Sequence, residues 1–136
     1  MPDLGSTEYS MLWASAALGI VYLLAAVVPS VLGRGMPWAM GPRDEPAPDA
    51  GKVAARLDRA WKNYLETFPI FVAAVLVNGS VTQDSDLAAT GAQLYFWGRV
   101  AFLPVYALGL PVVRTLVWTV ALVGILMVLA AALPGV

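Results

Sequence analysis

A chain of 136 residues that is 60% hydrophobic and only 12% charged is not an ordinary soluble domain, in which charged residues make up about a quarter. Its net charge of −1 says little by itself; no nucleic acid is expected as a partner. Cysteine and histidine are both absent, which excludes a disulfide framework, a protein thiolate or imidazole catalyst, and a soft metal site.

The apolar runs predict one all-α membrane domain over residues 1–136, a bundle of four transmembrane helices, because each run approaches the roughly 20 residues that cross a bilayer. The first span is expected at about 9–32, with Pro29 near its inner end. The preceding tail carries Asp3 and Glu8 and no Lys or Arg. A secretory signal would open with positive charge, so this first run is expected to be retained. Residues 33–51, with Gly-Pro-Arg-Asp-Glu-Pro-Ala-Pro at 41–48, are expected to form an ordered or semi-ordered loop rather than a helix. Met36, Trp38 and Met40 are expected to rest at the membrane interface, where Trp is favoured.

The second helix is expected to start near Lys52 outside the apolar layer and to span it at about 60–79. A short acidic loop from Asn78 to Asp86 leads to a third span at about 87–106. A tight turn from Tyr106 to Pro111 leads to a fourth at about 112–133.

The basic residues are Arg34, Arg43, Lys52, Arg56, Arg59, Lys62, Arg99 and Arg114. By the positive-inside rule the stretch from Arg34 to Lys62 is expected in the cytoplasm, with both termini on the opposite side.

The second helix carries Arg56, Arg59, Asn63 and Glu66, which share an arc of roughly 80° on an α-helix. Charged groups inside a span are costly and are kept mostly where they face a partner, a ligand or water. Tyr95, Arg99, Phe102 and Tyr106 share one face of the third helix, with spacings of four, three and four residues. Glu66 and Arg99 lie at similar depth, roughly 10 Å from the surface, so a contact that cancels both charges is expected. Arg114 and Thr115 open the fourth span, with Trp118 one turn on.

Each residue has a plainer explanation. Arg56, Lys62 and Arg114 suit snorkelling anchors, Arg99 with Glu66 suits a structural ion pair, and Asn63 suits interhelical glue. Tyr95 and Tyr106 suit the interfacial aromatic belt. The shared depth of the whole set points instead to a site for a small anionic or zwitterionic peptide-like ligand. An arginine beside a thiol favours the thiolate by about 1.4 kcal/mol for each unit of pKa, and a lipophilic electrophile has access through the bilayer.

Arg56-x-x-Arg59-Ala60-x-x-Asn63-x-x-Glu66-x-x-Pro69 resembles the second-helix signature of the MAPEG family, membrane-associated proteins in eicosanoid and glutathione metabolism. Gly98 to Tyr106 and Arg114 to Thr119 look like that family's third and fourth helices, and Gly-Pro-Arg-Asp at 41–44 looks like its bacterial members. The resemblance implies a homotrimer of four-helix subunits, in the inner membrane for a bacterial member, with glutathione bound between neighbours near the cytoplasmic face. It implies glutathione contacts from Arg59, Asn63 and Glu66, with Arg56, Arg99 and Tyr106 beside them. Arg114, after a one-residue shift in the preceding turn, matches the arginine that stabilises the thiolate in catalytic members. Arg34 corresponds to a basic residue at the end of the family's first helix.

Trp61 stands where several eicosanoid-producing members carry His or Gln. Phe102 replaces a ligand-facing Tyr or polar residue, and Trp118 stands where some members have Tyr. These departures weigh against eicosanoid chemistry. The expected activity is a glutathione-dependent transferase or peroxidase acting on lipophilic small molecules. The rival readings are a non-catalytic scaffold or lipid-binding protein on the same fold, and a small transporter, which the lack of inverted repeats disfavours.

Overall fold

The computed structural model describes residues 4–81 and 85–136. Its elements are α1 (Thr7–Arg34), α2 (Met36–Met40), α3 (Lys52–Val81), α4 (Asp86–Ala107) and α5 (Pro111–Ala131). The expected loop from Asn78 to Asp86 falls partly on residues 82–84, outside the described residues; its first part, through Val81, is helical.

Local signals set the helix ends. Ser6 caps α1, its side chain accepting from the Tyr9 amide at 3.5 Å, and Ser85 caps α4 in the same way from the Ala88 amide at 3.2 Å. Such side-chain acceptors satisfy amides that the first helical turn leaves unpaired. Pro29, Pro69 and Pro104 lie inside α1, α3 and α4, and all three helices continue through them.

One expectation needs correction: residues 36–40 are helical, not loop. Gly35 ends α1 with its amide donating to the Val31 carbonyl at 2.9 Å, and Pro37 sits in the first turn of α2, where a missing N–H costs nothing. The Gly and Pro content of 33–51 masked this single turn and a half. Met36 and Met40 are exposed on α2, while the Trp38 indole N–H donates to the Glu45 carbonyl at 3.1 Å and ties the following loop back to it.

Three of the helices, α1, α3 and α5, are long and apolar enough to cross a membrane. With its 22 residues α4 is as long as α5 (21 residues), but Gln93 and Arg99 lower its apolarity, and of the four expected spans it is the one that falls short of a spanning helix's apolarity. It is paired closely with α5 through Gly91 and Gly124. A Cβ on Gly124 would stand 2.4 Å from the Gly91 carbonyl oxygen and 2.7 Å from the Tyr95 amide nitrogen. Small residues that allow such backbone approach are the usual means of joining helices in lipid, where no hydrophobic drive separates helix from solvent.

Two aromatic-rich clusters fill the interior. The one nearer the chain termini joins Phe71, Val75, Tyr95, Ile125 and Val128, with Phe71 and Tyr95 stacked at 4.1 Å. The other, nearer the α1–α2 junction, joins Tyr22, Ala60, Tyr64 and Phe102, with Tyr22 and Tyr64 stacked at 4.4 Å. The second cluster is the floor of the candidate site.

Candidate functional site

The α4–α5 turn brings the expected residues together. Gly109, at φ +72°, follows the end of α4; its amide donates to the Tyr106 carbonyl at 3.0 Å and the Leu110 amide donates to Val105 at 3.3 Å. This paired arrangement closes a helix with a left-handed residue that glycine adopts without strain. Pro111 then starts α5 immediately. The reversal lays Arg114 over Tyr106, with the guanidinium carbon 5.0 Å from the ring centroid.

From α3, Arg59 reaches the same ring. Its Nε donates to the Tyr106 hydroxyl at 3.3 Å, and its guanidinium carbon lies 6.0 Å from the ring centroid. Tyr106 thus has two cations within cation–π reach. Asn63, Phe102, Tyr106, Arg114, Thr115 and Trp118 surround an open cleft of about 270 Å³ between α3, α4 and α5. Its polar groups are an amide, a phenol, a guanidinium and a hydroxyl, and its walls are aromatic.

Arg99 lies beneath the cleft and is fully buried. Its guanidinium carbon sits 4.2 Å from the Phe102 ring centroid, 5.2 Å from Tyr64 and 5.6 Å from Tyr22. Nη1 donates to Asn63 Oδ1 at 2.8 Å, while Nε and Nη2 have no partner. Tyr22 locks the backbone at this point, its hydroxyl donating to the Arg99 carbonyl at 2.5 Å. Tyr64 is held from the other side by donating to the Ser15 carbonyl.

The expected Arg99–Glu66 contact does not form. Glu66 is exposed on the outer face of α3, and among the described residues the one ion pair is Lys62–Asp58 at 2.8 Å. Asn63 takes the place foreseen for Glu66, because Asn63 lies one turn earlier on the face turned toward α4. The consequence is chemical. With Oδ1 committed to Arg99, the group that Asn63 offers to the cleft is its amide NH2, so it meets an acceptor on any ligand.

Arg56 is half-buried and donates from Nη1 to the Ala107 carbonyl at 3.4 Å, at the end of α4. A basic group there complements the unpaired carbonyls of a helix C-terminus. Arg59, Asn63, Tyr106 and Arg114 therefore converge on one region. Arg99 supports it from below, Arg56 lies at its rim, and Glu66 faces away from the bundle. Sequence reading did not single out Tyr22 and Tyr64, which wall in Arg99. A tyrosine next to Asn63 on a helix that must bury an arginine was the available signal. Among the described residues no group of His, Cys, Asp or Glu is arranged to hold a metal ion.

No curated protein matches the chain. The model of the MAPEG family, in contrast, matches residues 11–134, a stretch that holds the α3 signature, the cleft and all the long helices except the first four residues of α1. With nearly its whole length accounted for by that match, the chain is an integral membrane protein that belongs to the MAPEG family.

Proposed function

We propose that this protein binds glutathione, or a closely similar thiol peptide, in the Asn63–Arg114 cleft and directs its sulfur at lipophilic electrophiles, as a transferase or peroxidase. The observation that carries the reading is the convergence of Arg59, Asn63, Tyr106 and Arg114 on a cleft walled by Phe102 and Trp118. The donor set suits the ligand: a peptide carboxylate or carbonyl accepts from the Asn63 amide and the Arg59 guanidinium. Arg114 holds negative charge at the sulfur, lowering the pKa of the thiol as a neighbouring cation does. The thiol supplies the nucleophile, which a chain without Cys or His cannot. Phe102 and Trp118 give the acceptor an apolar wall on the side open to lipid.

The active form in this reading is a homotrimer with the site completed by a neighbouring copy. Two features support it. Glu66 is exposed on α3, and a carboxylate facing hydrocarbon is unfavourable by a few kcal/mol, which a neighbour's polar group relieves. The cleft, at about 270 Å³, is at or below the small end of ligand sites, roughly 300–1,000 Å³, as half of a shared site would be.

The test is thermal unfolding of the detergent-solubilised protein titrated with glutathione and S-hexylglutathione, followed by conjugation of dinitrochlorobenzene and reduction of a lipid hydroperoxide. A ligand that binds only the folded state raises the midpoint saturably. The rise is expected in the wild type and lost in Arg59→Ala, and turnover is expected to be lost in Arg114→Ala. Unchanged turnover in a folded Arg114→Ala protein would falsify the assignment of that arginine. No midpoint shift at millimolar thiol would remove the binding proposal.

A further inference from the structure

A second cleft, which shares no lining residue with the first, opens where α1 meets α2 and α3. It measures about 210 Å³, and its mouth is formed by Arg34, Trp38, Arg43 and Asp58 while its floor is Ala26, Val27 and Val31. The guanidinium carbons of Arg34 and Arg43 lie 5.5 Å and 5.3 Å from the Trp38 ring centroid. Arg43 is fixed at φ 60°, with Nε and Nη2 both donating to the Ala39 carbonyl at 3.2 and 3.1 Å. A non-glycine residue at positive φ is uncommon and is held only where its surroundings determine it. The Arg34 Nε is buried without a partner. Asp58, the acid in the lining, is paired with Lys62 at 2.8 Å, and among the described residues neither Arg34 nor Arg43 forms an ion pair.

We propose that this elbow binds the phosphate of an anionic phospholipid from the leaflet on that side of the membrane. Arg34 and Arg43 hold the headgroup, and an acyl chain follows the α1 surface of Val27, Val28 and Leu32. Charge and shape both point to this occupant. Guanidinium donors suit phosphate oxygens; Arg34 brings its unpartnered Nε, and Arg43, whose Nε and Nη2 hold the Ala39 carbonyl, brings its Nη1. The indole of Trp38 sits beside them, and Trp favours the headgroup level. Away from the charged residues the lining is mostly apolar, with Ser30 the polar exception, and Val27, Val28 and Leu32 stay exposed along α1. A free anion would use only the mouth; a lipid uses the mouth and the floor.

The experiment is native mass spectrometry of the delipidated protein in detergent, titrated with dioleoyl phosphatidylglycerol or dioleoyl phosphatidylcholine. Phosphatidylglycerol is expected to bind the more tightly. The Arg34→Gln/Arg43→Gln double variant is expected to bind it about 25-fold less, from about 5-fold for each basic residue at an anionic membrane surface. The Arg34→Lys/Arg43→Lys variant keeps the charge and loses the guanidinium donors. It is expected to lose about tenfold, close to the low end of what a hydrogen bond to a charged group contributes. That variant serves also where the glutamine pair does not fold. Equal affinity for the two lipids, or wild-type affinity in the lysine pair, overturns the site. Complete displacement of the lipid by millimolar inorganic phosphate overturns the lipid as its occupant.

Discussion

Replacing Asn63 separates two tasks that one carboxamide performs. Its Oδ1 accepts the single hydrogen bond that the buried Arg99 guanidinium makes, and its amide NH2 is what remains for the cleft. Asn63→Ala leaves the whole guanidinium unpaired. The loss of a hydrogen bond to a charged group is about 2 kcal/mol. At roughly 3–4 °C per kcal/mol for a chain of this size, the midpoint falls by about 7 °C.

Asn63→Asp behaves differently. A carboxylate at the same place attracts the guanidinium by about 4 kcal/mol at an effective dielectric constant of 20. Its own desolvation offsets this by several kcal/mol. Stability therefore stays within about 1 kcal/mol of the wild type, while the donor to the cleft is replaced by a negative acceptor. The assay is differential scanning fluorimetry in detergent, with and without S-hexylglutathione. The expected pattern is a lowered midpoint for Asn63→Ala, a near-normal midpoint for Asn63→Asp, and no ligand shift in Asn63→Asp. An aspartate variant as unstable as the alanine variant would refute the view that Arg99 needs an acceptor there. A normal ligand shift in the aspartate variant would refute the assigned amide orientation.

Substitutions at four further positions test the frame around the site. Gly109→Ala forces a left-handed conformation, costing about 1–2 kcal/mol, and places a Cβ 2.8 Å from the Arg56 guanidinium carbon; a lowered midpoint is expected, and an unchanged one contradicts the turn geometry. Gly124→Ala meets the backbone of Gly91 and Tyr95, which cannot rotate away, and overpacking of this kind costs about 1–3 kcal/mol. Gly19→Ala meets only the Tyr64 ring, at 3.3 Å, so it is expected to be the milder of the two, and the reverse order in thermal unfolding would count against the α4–α5 packing. Tyr106→Phe removes the hydroxyl that accepts from Arg59 and keeps the ring beneath Arg114. Ligand affinity is expected to fall modestly in Tyr106→Phe and severely in Tyr106→Leu, and equal losses would show that the ring contributes nothing.

Much of the architecture was legible in the chain. The apolar runs located the long helices because a bilayer span needs length and apolarity, and both are properties of a local window. The Arg56–Pro69 pattern and the Arg99 face were likewise local, since helical periodicity alone assigns residues to sides. The second helix was placed correctly from Lys52 because its first two turns are amphipathic rather than apolar. The α2 turn was not legible: five residues flanked by Gly and Pro carry too little periodic signal, and it is held by contacts such as Trp38 to Glu45.

Depth and sidedness read on three helices, together with the family resemblance, were enough to gather Arg59, Asn63, Tyr106 and Arg114 but not to choose partners among them. Arg99 and Glu66 share a depth, yet α3 turns Asn63 toward α4 and Glu66 away from it. That choice depends on the rotation of α3 about its own axis. The rotation is set by the stacking of Tyr64 on Tyr22 and of Phe71 on Tyr95, contacts between residues far apart in the chain. Composition and period therefore prescribe which side chains a helix presents; the packing of one helix on another prescribes which of them meet.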